Sequence, residues 1–107
     1  MSRLKKLKFD SYVDLLSYHK ENDEFVYDYT LNKLKKYWDK HQNINDIDIF
    51  EVCVKDLPSF KYISLESSEW GLYLDEIMGW AESTENYNLA VVARDLSREI
   101  YGHLEEE

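Results

Sequence analysis

Pro58 is the only proline of this chain, and Gly71, Gly79 and Gly102 are its only glycines. These two residue types are the strongest punctuators of a backbone, so the chain has few places to break or turn sharply. Its segments must instead be ended by caps and polar clusters. The Lys, Glu and Leu that fill the space between favour helix. With 44% apolar and 15% aromatic residues in 107, there is enough hydrophobic material for one real core and one domain over residues 1–107. The expected fold class is all-α: a compact bundle of four to five helices ending in an antiparallel helical hairpin.

Hydrophobic spacing locates the helices. Phe9, Tyr12, Val13 and Leu16 recur at the spacing of one helical face. They predict a first helix to about Lys20, opened by Ser11 with Asp14 in a capping box or by Asp10. Residues 1–8 are then a basic arm, or the first two turns. Asn22 or Asp23 caps a second helix, whose stripe is Tyr27, Leu31, Leu34 and Trp38. Its acids come early (Asp23, Glu24, Asp28) and its lysines late (Lys33, Lys35, Lys36, Lys40), which suits the helix dipole. It should stop around His41–Asn43.

Trp70, Tyr73, Leu74, Ile77, Met78 and Ala81 predict another helix from about Ser67 to Glu82. Gly71 and Gly79 inside it cost about 1 kcal/mol each relative to Ala, which points to a close backbone neighbour or to an approaching partner. After a turn at Ser83–Asn86, with Thr84 as cap, Leu89, Val92, Ala93, Leu96 and Ile100 predict a last helix from about Glu85 to Tyr101. Gly102 would close it in the left-handed conformation. Two helices joined by four polar residues make an antiparallel hairpin. Through Trp70, Gly71, Tyr73 and Ala90 it resembles in shape one repeat of the tetratricopeptide type, at loose spacing and in a single copy.

Residues 44–65 admit two readings. As a helix, Ile47, Phe50, Val54 and Leu57 share a face, Asp46 caps, Pro58 terminates, and Glu51 pairs with Lys55. As a β-hairpin around 47–65, the β-branched run Ile47–Val54 turns at Lys55–Ser59 and returns over Phe60–Leu65, giving an α+β fold. The better capping favours the helix, which is the expectation adopted.

The chemistry of catalysis is thinly represented. No Gly-rich phosphate loop, nucleophile elbow or paired-His motif is present. His19, His41 and His103 fall in different segments. Cys53 is alone, so it forms no intrachain disulfide, and Val52 and Val54 beside it suggest a buried, inert thiol. Asn45, Asp46, Asp48 and Glu51 lack the central Gly and the spacing of an EF-hand. The expectation is no enzyme, no catalytic residue, no metal and no cofactor. No apolar run approaches the roughly 20 residues of a bilayer span, and MSRLKKLKF is not followed by the apolar segment of a secretory signal. A cytoplasmic location is expected.

Charge says most about function. Residues 1–62 hold eleven basic and eleven acidic side chains, whereas residues 63–107 hold Arg94 and Arg98 against eleven acids. The whole net charge of −9 therefore lies in the last 45 residues. A field of that sign disfavours nucleic acid and anionic lipid and favours cationic partners. Lys33, Lys36 and Lys40 on one helical face near Tyr37, with Arg3, Lys5, Lys6 and Lys8 in the arm, give a local basic surface able to grip phosphates. A solvated helix face accounts for it as well. The acidic hairpin and the tail Glu105–Glu107 have almost no local cations. Carboxylates spaced over two helices imitate the charge of a nucleic acid and steer a basic cleft toward them.

The expected function is thus a small acidic, non-enzymatic binding protein. It would inhibit or regulate a partner with a basic surface, such as a nuclease or another nucleic-acid-binding protein. Small acidic phage and mobile-element inhibitors, anti-restriction and anti-CRISPR proteins among them, are the analogy. The expected partner contacts are Glu69, Asp75, Glu76, Trp80, Glu82 and Glu85. Tyr37, Trp80, Tyr87 and Tyr101 lie off or at the edge of the apolar stripes and would mark an interface where exposed together. The alternative is a structural protein that self-associates, its neutral-to-basic N-terminal half meeting the acidic half of a neighbour.

Overall fold

The computed structural model describes residues 4–102. In chain order the elements are β1 (Lys5–Phe9), α1 (Tyr12–Glu21), α2 (Asp23–His41), β2 (Ile47–Val54), β3 (Tyr62–Leu65), a 3₁₀ turn (Ser67–Glu69), α3 (Trp70–Ser83) and α4 (Tyr87–Tyr101). The fold is α+β, so the all-α expectation is corrected. β2 lies at the centre of a three-stranded sheet, parallel to β1 and antiparallel to β3.

Residues 47–65 are a hairpin because period two beats the helical stripe there. Phe50, Val52 and Val54 are buried, while Glu51 and Cys53 between them point to the other face. A helix would have buried only one residue in three or four of this β-branched run. Two of the three devices that favoured a helix serve other ends. The Asp46 carboxylate accepts the Ser67 N–H at 2.7 Å and so caps the 3₁₀ turn. Glu51 pairs across strands with Lys6 at 3.4 Å rather than with Lys55.

β1 appears in neither sequence reading. Lys5–Lys8, part of the stretch expected as a basic arm, pair in parallel with Phe50–Cys53. The strand contributes Leu7 to the core. Parallel partners some 45 residues away leave little local trace, and Lys-Lys-Leu-Lys-Phe carries only two apolar positions to reveal it.

β1 also resets the phase of α1. Ser11 is the N-cap, its hydroxyl accepting the Asp14 N–H at 3.2 Å. Phe9 belongs to the sheet, so the face that began with it does not continue inward. Leu15 is buried, whereas Val13 and Leu16 are 67% and 61% exposed. α2 matches its expected span more closely and buries Val26, Tyr27, Thr30, Leu31 and Leu34.

α3 and α4 form the expected antiparallel hairpin, closed by Trp70, Leu74, Ile77 and Ala81 against Leu89, Ala93, Leu96 and Ile100. Its turn is a Schellman motif: the Asn86 N–H reaches the Ala81 carbonyl at 2.8 Å and the Glu85 N–H the Glu82 carbonyl at 3.2 Å. The left-handed position of the motif is held by Glu85, at φ 62°. Asn86, not Thr84, then caps α4 by accepting the Leu89 N–H. Gly102 is right-handed at φ −58°, so it does not close α4 as expected.

All the core side chains form one cluster, from Leu7 and Phe50 of the sheet to Trp70 and Ile100 of the hairpin. The Trp70 indole is fully buried and donates to the Asn45 carbonyl at 2.9 Å. The tail Glu105–Glu107 and His103 lie outside the described residues.

Candidate functional site: an acidic end around the α3–α4 turn

The expected contact residues divide into two groups. Glu76 follows Glu69 by seven positions, and Glu82 follows Asp75 by seven, so each pair shares a side of the helical path. The two sides lie about 100° apart. Structure already uses the first. Glu69 accepts the Glu66 N–H at 2.9 Å and closes the capping box of the 3₁₀ turn that leads into α3. Glu76 accepts the Tyr27 hydroxyl at 2.7 Å. Trp80, one turn beyond Glu76, lies 5.2 Å from the Tyr27 ring and is half-buried. It is a seam between α2 and α3, not the free anchor expected.

Asp75, Glu82 and Glu85 are exposed, and no side-chain hydrogen bond or ion pair engages them among the described residues. Glu82 borders a groove of about 470 Å³ between α3 and α4, with Tyr87, Val91 and Arg94 on its other wall. On the opposite flank of α4, a groove of about 480 Å³ runs to α2, where Glu24 and Asp28 face Asn86 and Asn88 over Phe25, Leu89 and Val92. The α3–α4 turn thus stands between two grooves with apolar floors, one bordered by Glu24 and Asp28 and the other by Glu82 and Arg94.

The sequence reading assigned Glu24 and Asp28 only to the helix dipole. The signal missed was their spacing: four apart, they share one side of α2, and that side meets α4. Of the four edge aromatics expected as anchors, only Tyr87 is exposed. Tyr87 is 62% exposed, and Val91 and Val92 are 42% and 38% exposed. Tyr37, Trp80 and Tyr101 are half-buried.

Electrostatically, no ion pair engages the acids of this end among the described residues, although Arg94 lines the Glu82 groove and Asp28 also borders the trench of Lys33, Lys36 and Lys40. Among the described residues, the ion pairs are Lys6–Glu51, His19–Asp23, Lys35–Asp39 and Arg94–Asp95. None joins a lysine of the first half to an acid of the hairpin.

A second polar cluster lies where α1, α2 and α3 meet. His19 Nδ1 is 2.8 Å from Asp23 and its Nε2 is 3.4 Å from the Tyr73 hydroxyl. The order of groups resembles a relay, but burial pushes the Tyr73 phenol up to about 12, against the lowering effect of a Thr30 hydrogen bond. Tyr27 beside it is also raised, by burial first and then by its bond to Glu76. Phenols held neutral in this way fasten helices together and are poor nucleophiles. Every buried side-chain nitrogen or oxygen among the described residues has a partner. Cys53, expected to be buried, is exposed on the outer face of the sheet. No group of three or more metal-ligating side chains forms among the described residues. No helix among them is long and apolar enough to cross a membrane.

No family model, curated protein or solved structure matches this chain.

Proposed function

We propose that the protein is a small, non-enzymatic, cytoplasmic binding protein. It occupies the basic, nucleic-acid-binding surface of a partner protein and thereby inhibits or regulates it. The observation that carries the reading is the group Glu24, Asp28, Glu82 and Glu85, which no ion pair engages among the described residues, around the α3–α4 turn and next to exposed Tyr87, Val91 and Val92.

Uncompensated acids raise the encounter rate with a cationic cleft, and they cost little to desolvate only where the partner supplies counter-charges. The neighbouring aromatic and aliphatic side chains supply the area that holds such a complex once formed. Of the contacts expected from sequence, Asp75, Glu82 and Glu85 remain free for this role. Glu69, Glu76 and Trp80 contribute through the shape of α3.

The test is capture of host proteins on the immobilised chain. The expected catch is a basic nucleic-acid-handling protein, released by added DNA or RNA and by salt. The double variant Glu82→Lys, Glu85→Lys should lose that partner while its thermal midpoint moves little. A catch made only of neutral proteins, indifferent to salt, defeats the proposal.

A further inference from the structure

We propose that the outer face of the sheet binds single-stranded nucleic acid, with Lys6, Lys8, Lys55 and Lys61 holding phosphates and Tyr62 stacking on a base.

Strand alternation creates this face. Leu7, Val52 and Val54 turn inward, so Lys6, Lys8, Glu51 and Cys53 turn outward, with Tyr62 opposite Glu51 on β3. Lys6, Lys55 and Lys61 line a depression of about 450 Å³ together with Tyr62, and its wall is Phe60 and Pro58. Lys8 and Lys55 continue it past Cys53, where Asp10 and Asp14 mark its limit. The carboxylate within the depression, Glu51, is engaged by Lys6 at 3.4 Å. Asp48, further along β2, takes the Ser64 hydroxyl.

The ring is what distinguishes this surface from the other basic one. Lys33, Lys36, Lys40 and His41 surround a wider trench of about 620 Å³ beside α2. Its rings are already committed: Tyr29 stacks on Phe50 at 4.7 Å, and Tyr37 packs on His41 at 4.2 Å. Tyr62 is 46% exposed and joins no aromatic pair among the described residues. An exposed ring among lysines is the arrangement that holds a single strand without reading its sequence.

The net charge of −9 does not forbid this. The acids that adjoin the face are few: Glu51 is engaged by Lys6, Asp56 accepts the Tyr12 N–H at 3.0 Å, and Asp10 and Asp14 lie at its edge. At physiological ionic strength the field decays over about 8 Å, so acids farther from the face than that weigh little against Lys8, Lys55 and Lys61.

Fluorescence anisotropy of a labelled oligothymidylate with the full chain tests the proposal. Saturable binding is expected at about 50 mM salt, weakening about tenfold or more by about 200 mM. Lys8→Glu with Lys61→Glu should weaken it about tenfold or more at fixed salt, as the loss of two phosphate contacts implies. Tyr62→Ala should weaken it several-fold and Tyr62→Phe should restore it. Glu82→Lys with Glu85→Lys should not weaken it, which separates this face from the acidic end. All these side chains are exposed; should a Glu variant fail to fold by circular dichroism, Lys8→Gln with Lys61→Gln replaces it.

Absence of binding at low salt overturns the proposal. So does a loss caused by Lys36→Glu with Lys40→Glu but not by the sheet variants, which moves the contact to α2. Salt-sensitive self-association abolished by Lys61→Glu, without oligonucleotide binding, gives the face to a second copy and equally refutes it.

Discussion

The Tyr27 hydroxyl donates to Glu76 at 2.7 Å, joining α2 to α3 across 49 residues of chain. The phenol is buried and the carboxylate exposed, so the bond sits at the boundary of the core. Tyr27→Phe keeps the packing against Tyr73 and Trp80 and deletes only the bond. Water can solvate the freed carboxylate. The expected loss is about 1 kcal/mol, read from urea denaturation with an unchanged m-value. A change in m would mean that the helices had separated instead.

The same seam predicts instability in alkali. Tyr27 and Tyr73 are both raised from 10.0, Tyr73 to about 12. Below the unfolded value each phenol is protonated in both states, so its contribution is complete. Above pH 10 the unfolded chain releases protons that the fold retains, and stability falls by up to about 1.4 kcal/mol per pH unit for each phenol. The contribution is lost as pH rises through the folded values. The thermal midpoint should hold to about pH 9 and then drop, and Tyr73→Phe should flatten the drop. Equal slopes in both proteins would exclude Tyr73 as the source.

The two glycines of α3 separate packing from propensity. A Cβ on Gly71 would lie 3.6 Å from the Tyr101 ring, an ordinary contact, and one on Gly79 would meet nothing within 4 Å. The expected close neighbour is therefore present only at Gly71, and neither site forbids Ala. Gly79→Ala should stabilise the protein by about 0.5–1 kcal/mol through helix propensity and reduced unfolded-state entropy. Its remaining rationale is the approach of a partner, so the same variant should be assayed for binding. A stabler protein with undiminished binding leaves Gly79 without a role in the contact.

How much of this was legible in the sequence depended on how local each cause was. Tyr27, Leu31 and Leu34 betrayed α2 because a helix writes its burial within its own span. The hairpin showed through Trp70 to Ala81 and Leu89 to Ile100 for the same reason. Residues 47–65 carried both periods, and the tie was broken by burial against β1, a strand 45 residues away. β1 itself was hidden by its lysines. Its presence then turned Val13 and Leu16 outward, contrary to their spacing. At the site, the free acids Asp75, Glu82 and Glu85 were found by composition. Glu69 and Glu76 were not separable from them, because a cap and a tyrosine partner depend on geometry the sequence does not carry. Glu24 and Asp28 were missed because they join the acidic end only through α2–α4 packing.

Glu85 brings stability and function into opposition. It sits at φ 62° in a Schellman turn, where a residue with a Cβ is strained and glycine is the usual occupant. Glu85→Gly should relieve that strain and raise stability by about 0.5–1 kcal/mol. Glu85→Ala removes the same charge but keeps the Cβ, so it should not stabilise. If the acid serves the partner, both variants should bind the basic partner more weakly and by similar factors, although they differ in stability. Thermal melts together with affinity titrations of the two variants separate the effects. Unchanged affinity in both would remove Glu85 from the proposed contact and leave its strained position unexplained by binding.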